Sequence, residues 1–198
     1  GSGGQIVAIT SGEVGYIFRE DSILRMDFVG GNTVFRFSVL SPNRGAVYGQ
    51  TVCQDNRQVF FYSSDGFFQI NGDQILPIGS EKVNRFFEQD LNKAYTDRIT
   101  AAVDPFNTLA IWLYPSKDNP NTTGICDKLL IYNYVTQKWS IAKVKASQIF
   151  QQFIVANTVE LMDIISSNID DINISLDTRF WETGHLYLGA VDENFKAA

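Results

Sequence analysis

From Val59 to Ile78 the chain reads VFFYSSDGFFQINGDQILPI, three apolar runs cut by Ser63-Ser64-Asp65-Gly66 and Asn71-Gly72-Asp73. Aromatic and β-branched runs of this length, punctuated by D-G and N-G, are the pattern of consecutive β-hairpins. The glycines take positive φ there without steric cost. Val59-Phe60-Phe61-Tyr62 does not alternate, and neither do Leu109 to Tyr114 or Leu129 to Tyr132. A strand with one wet face alternates, so these strands should be covered on both faces. A parallel sheet would need a crossover helix after nearly every strand. The sequence offers one convincing helix, so small antiparallel sheets stacked face to face are the better account.

A pattern repeat supports stacking. Residues 16–26 (YIFREDSILRM) lie beside residues 60–70 (FFYSSDGFFQI) at an offset of 44, with apolar, polar and turn classes coinciding although only Asp21 and Asp65 are identical. Four-stranded blades of β-propellers recur at about 40–50 residues, the alternative being two unrelated hairpins. The expected fold is therefore all-β: antiparallel four-stranded blades of a partial β-propeller in a single domain or fragment over 1–198. The expected blades cover 5–40, 46–79, 99–142 and 149–198.

Within the first, strands are expected over 5–10, 14–19, 23–28 and 33–38, the last alternating and half wet. Ala46 to Cys53 should open the second blade. Ser80 is a candidate N-cap for one short inserted helix near 81–91, whose Val83, Phe86, Phe87, Asp90 and Leu91 sit at helical spacing. Strands follow at 99–103, 108–114, 128–134, 138–142 and 149–155, with a long polar loop over 115–127. Leu161 to Ile174 is acidic and aliphatic, either strands or partly helical. His185 to Val191 and Asn194-Phe195-Lys196 read as an unfinished hairpin. The expectation is a truncated last unit, completed by more chain or by a partner. Gly1 is not an initiator Met, which suggests excision from something longer, and Gly1 to Gly4 has neither the basic nor the apolar start of a signal peptide.

Charge and cysteine content narrow the function. A net charge of −6 argues against nonspecific gripping of phosphate, which needs a basic face. Cys53 and Cys126 read as ordinary thiols of a reducing compartment. No stretch has the roughly 18 apolar residues of a transmembrane helix.

Several phrases resemble one family, the β-propeller hub or nozzle proteins of short-tailed bacteriophage tails. They are IVAITSGEVGYIFREDSILRM (6–26), VFFYSSDGFFQINGDQILPIG (59–79), EKVNRFFEQDL (81–91), ITAAVDPFNTLAIWLYP (99–115), CDKLLIYNYVTQKWS (126–140) and LDTRFWETGHLYLGAVD (176–192). They cover most of the chain in the family's order, although the chain is much shorter than a complete hub or nozzle protein. The resemblance implies a structural virion protein below the portal, assembled in the host cytoplasm. It implies a homo-oligomeric ring that meets other tail and portal-adaptor proteins and forms part of the DNA conduit, and no catalytic residues. Its acidic balance suits a conduit wall past which DNA slides without sequence-specific binding.

The residues themselves yield little chemistry. His185 is the sole histidine, and no G-x-S-x-G accompanies it. Ser63-Ser64-Asp65-Gly66 misses the sialidase-type S-x-D-x-G turn by one residue. Asp127 and Asp170-Asp171 read as solvated loop charge. Asp118-Asn119 and Asp192-Glu193-Asn194 lack the ligand series of an EF-hand loop, and neither a P-loop nor a C-x-x-C is present. No catalytic, cofactor or metal residue is assigned, and the chain is read as a non-enzyme. The sequon Asn121-Thr122-Thr123 is given no weight. The alternative is a binding module for a host-surface glycan or protein, with Phe106, Trp112, Tyr132, Trp139 and Trp181 as candidates for its face, most of them more simply core.

Overall fold

Alternating register explains how the apolar runs are used. A computed structural model describes residues 4–31, 33–55, 58–119, 124–154 and 185–192. The expected segment 161–174, the sequon, Trp181, Asp170-Asp171 and the 194–196 tail lie outside them. The described chain is mostly β, in three antiparallel sheets. Sheet 1 is the meander β1 (Ile6–Thr10), β2 (Val14–Arg19), β3 (Ile23–Phe28) and β4 (Phe35–Ser41). Sheet 2 is the meander β5 (Cys53–Asp55), β6 (Gln58–Ser63), β7 (Gly66–Asn71) and β8 (Gln74–Pro77).

The offset of 44 is a repeat of register as well as of residue class. Tyr16 pairs with Arg25, Ile17 with Leu24 and Phe18 with Ile23. Their counterparts pair identically: Phe60 with Gln69, Phe61 with Phe68 and Tyr62 with Phe67. Cross-strand partners point to the same side of a sheet, so the two hairpins present equivalent faces. The turn between β6 and β7 is Ser64-Asp65, with Gly66 at φ +128.

Sheet 2 is covered on both sides, as its unbroken apolar run requires. Val59, Phe61, Phe68 and Ile70 pack with Tyr16, Phe18 and Ile23 of sheet 1. Phe60, Tyr62 and Phe67 pack the other way, with Trp112, Tyr114, Leu130 and Tyr132. The Phe67 ring centroid lies 5.0 Å from Phe87, 4.8 Å from Trp112 and 5.1 Å from Trp139. Indole N–H groups pin the stack: Trp112 donates to the Thr51 carbonyl at 2.9 Å and Trp139 to that of Ile78 at 3.0 Å.

Helix α1 (Glu81–Asp90) lies where the sequence places it and drives Phe87 and Leu91 into the core between sheets 2 and 3. Ser80 occupies the N-cap position, yet its side chain makes no capping bond. Asn84 does the anchoring instead, accepting from the Phe67 N–H and donating to the carbonyls of Asp65 and Gly79. A Cβ at Gly66 or Gly79 would collide with that amide.

Sheet 3 runs in the order β13-β12-β11-β10-β9. Its strands are β9 (Thr100–Asp104), β10 (Leu109–Tyr114), β11 (Cys126–Asn133), β12 (Lys138–Ile154) and β13 (His185–Asp192). Separate strands are expected over 138–142 and 149–155, but β12 is one strand of 17 residues spanning both. No Gly, Pro, Asn or Asp interrupts it. Register shifts near Val144 and Ser147 bend it instead of breaking it. The described residues of the last two expected units therefore share one sheet. It curls until β12 meets β9: the Ile149 N–H donates to Thr100 Oγ1 at 3.1 Å and Gln151 Nε2 to the Val103 carbonyl at 2.6 Å. This nearly closed, barrel-like sheet buries Ile111, Leu113, Cys126 and Ile149 inside.

Two other expectations need correcting. Ala46 to Cys53 is not a strand, because Gly49–Thr51 forms a 3-10 turn ahead of the short β5. Gly49 there lies against the Val7 backbone, with no room for a Cβ. Asp127 is not loop charge: it lies in β11 and accepts from both the N–H and the hydroxyl of Ser116 at 2.6 Å.

Candidate interaction surface

Sheet 1 stands at one end of the stack. In sheet 1 the side chains of Tyr16, Phe18 and Ile23 point toward sheet 2. Register places Ile17, Leu24 and Met26 on the opposite side, joined by Val39, Phe37 and the Phe28–Phe35 pair. Ile9, opposite Ile17, and Ile6, opposite Arg19, extend this face across β1. Nothing in the described chain covers it. Phe28 is 68% exposed, Val39 63%, Ile9 63%, Ile6 57%, Phe37 56% and Phe35 44%. With the half-buried Ile17, Leu24 and Met26, this is roughly 600 Å² of apolar side chain, at the top of what a lone soluble chain normally shows. Among the described residues, Arg19 is the one charged residue that register puts on this face.

The reason lies in sequence order. β2 and β3 carry apolar residues on both faces, as β6 and β7 do, and only one of those faces meets sheet 2. Charged groups sit on the inward side near the β3–β4 end, where Arg25 binds Asp27 and Asp73 and Arg36 approaches Asp27. The alternation over 33–38 predicts a half-wet strand. In the structure Phe35 to Val39 are all exposed.

In β12 Lys138, Lys143 and Lys145 are exposed, while sheet 3 packs apolar residues both against sheet 2 and into its own interior. Between the ends, the openings of the sheets converge: β1, the 3-10 turn before β5, β9 and β12 line a cleft of about 540 Å³. Thr10, Ser11, Gln50, Gln54, Thr100, Gln148 and Gln151 give it hydroxyls and amides, and among the described residues no charged side chain lines it. Gln54 and Gln151 already donate to backbone carbonyls within the chain.

One largely buried ionic cluster is structural. Lys128 Nζ lies 2.7 and 2.9 Å from the Asp90 carboxylate oxygens, and the Tyr114 hydroxyl donates to the same carboxylate at 2.8 Å. It ties the C-terminal end of α1 to β10 and β11. Burial, then the bond to Asp90, pushes the Tyr114 hydroxyl well above its ordinary range. Burial also raises both thiols, Cys126 to about 12 and Cys53 further. Such thiols are poor nucleophiles and ligands.

Of the aromatics considered for a glycan face, Trp112 and Tyr132 are buried in the core and Trp139 packs against it, leaving Phe106 at 50% exposure in the β9–β10 turn. His185 opens β13, paired with Ile154. Among the described residues no three His, Cys, Asp or Glu side chains are grouped to hold a metal, and no helix is long and apolar enough to cross a membrane. In comparisons with known proteins, no family model and no curated sequence matched the chain.

Proposed function

We propose that this chain is a structural, non-enzymatic building block of a bacteriophage tail, a hub or nozzle component below the portal that works in many copies. The observation that carries the assembly role is the open apolar face of sheet 1. A face that matches a covered one residue for residue is built for a neighbour. The phrases shared with tail hub and nozzle proteins supply the setting: a virion, assembled in the host cytoplasm, with other tail and portal-adaptor proteins as partners. The propeller reading is supported by two consecutive four-stranded meanders with one register, and by the approach of β1, β5 and β9. A ring of identical copies needs either two different mating faces on each copy or pairs of copies as its unit.

As part of a DNA conduit, the acidic chain should let the duplex pass without holding it. Light scattering of the purified chain beside electron micrographs tests the assembly role. Discrete multi-copy particles are expected, and a chain that stays monomeric at high concentration refutes it. Fluorescence anisotropy with a labelled duplex tests the conduit. No saturable binding at physiological salt is expected, and tight binding overturns that part.

A further inference from the structure

We propose that the cleft between β1, the 3-10 turn before β5, β9 and β12 binds a short neutral oligosaccharide, a function separate from assembly. Its volume of about 540 Å³ lies inside the roughly 300–1,000 Å³ of small-molecule sites. Small apolar side chains such as Val52 and Ala101 line part of it, and Phe150, whose ring lies over Gly189, gives it an aromatic wall. The remaining lining is hydroxyl and amide. The side chains of Ser11, Gln50 and Gln148 are exposed there and hold no hydrogen bond to another described residue.

The ligand class follows from what these groups can satisfy. A primary amide and a hydroxyl each donate and accept, as every hydroxyl of a sugar does. A carboxylate or phosphate would meet no cation among the described lining residues and would lose hydration without return. A wholly apolar ligand would cover the amides and leave them unpaired. The electron-rich face of an aromatic ring suits the C–H edge of a pyranose. An extended peptide is the other neutral ligand, and it would bind by adding a strand to a sheet edge. Here the chain's own groups already occupy those edges. Gln54 Nε2 donates to the Ser11 carbonyl at 2.6 Å, Gln151 Nε2 to the Val103 carbonyl at 2.6 Å, and the Ile149 N–H to Thr100 Oγ1 at 3.1 Å. Strand addition is blunted, while the free amides of Gln50 and Gln148 remain for hydroxyls.

The experiment titrates maltotriose, cellotriose and triacetylchitotriose, neutral trisaccharides of different linkage, into the full chain and follows saturation-transfer difference NMR. At least one should bind with a Kd of about 1 mM or tighter. Gln50→Ala and Gln148→Ala change exposed side chains that the fold tolerates losing. Each should weaken binding by about threefold to tenfold, the loss of one or two hydrogen bonds, with circular dichroism unchanged. Phe106→Ala, at an exposed aromatic outside the cleft, should leave the affinity as it was. Failure of all three sugars to bind overturns the proposal, as does binding that outlasts the double glutamine variant or is lost with Phe106→Ala. A blocked Thr-Gln repeat peptide that binds where the sugars do not would assign the cleft to an added strand and overturn it equally.

Discussion

Phe61→Ala is the sharpest test of the face-to-face stack. Phe61 is 0% exposed, and its ring centroid lies 5.1 Å from Phe18 of sheet 1 and 5.7 Å from Phe68 of its own sheet. Removing a fully buried Phe side chain forfeits its transfer free energy and leaves a cavity, together about 3–5 kcal/mol. Neighbouring strands hold the site open on both sides, so little collapse can reduce the cost. For a domain of this size each kcal/mol lowers Tm by roughly 2–4 °C, which predicts a fall of roughly 6–20 °C. The control is Phe37→Ala on the open face, which should change monomer stability by no more than about 0.5 kcal/mol. Urea unfolding followed by the fluorescence of the core residues Trp112 and Trp139 reads both, with each variant also carrying Val39→Lys to hold association constant. If Phe61→Ala cost less than about 1 kcal/mol, sheets 1 and 2 would not be stacked through this residue, and the reasoning from unbroken apolar runs would fail.

Lys128→Met should cost about 3–5 kcal/mol by stranding the Asp90 carboxylate in the core, whereas adding Asp90→Asn should recover much of the loss; urea midpoints check it, and two additive losses would deny the coupling. Burial raises the Tyr62 and Tyr134 hydroxyls from 10.0 to about 12. The fold thus favours the neutral phenol, a contribution fully present below pH 10 and lost as pH climbs toward 12. Circular dichroism and tyrosinate absorbance should therefore change together in that window, and free ionisation near pH 10 with the sheets intact would contradict the burial.

The sequence was most legible where one residue pattern had one geometric solution. The hairpins at 14–28 and 58–71 were readable because turn residues fix their ends and the offset of 44 fixes their equivalence. Helix α1 was readable from the spacing of Phe87 and Leu91. Less visible were the features that depend on distant partners. Asn84 looks like an ordinary helix residue until Gly66 and Gly79 are brought against it. Asp127 looks like loop charge until Ser116 arrives opposite. The length of β12 was in principle readable, since residues 138–154 contain no breaker, but their mixed polar and apolar order resembled two strands with a link. The open face follows from the same apolar runs, yet which face would be left uncovered depended on where the stack stops.

The unbroken span of β12 has a mechanical consequence. Its first half is zipped to β11 and its second half to β13, so neither hairpin can detach without loosening the other. Sheet 1, covered on one face only among the described residues, is the natural place to open first. Amide exchange should then proceed in order along the chain, fastest in β4 and slowest where β10 and β11 wrap the indole rings. A particle made of such copies would yield under tension at its contacts before its curled ends unravelled.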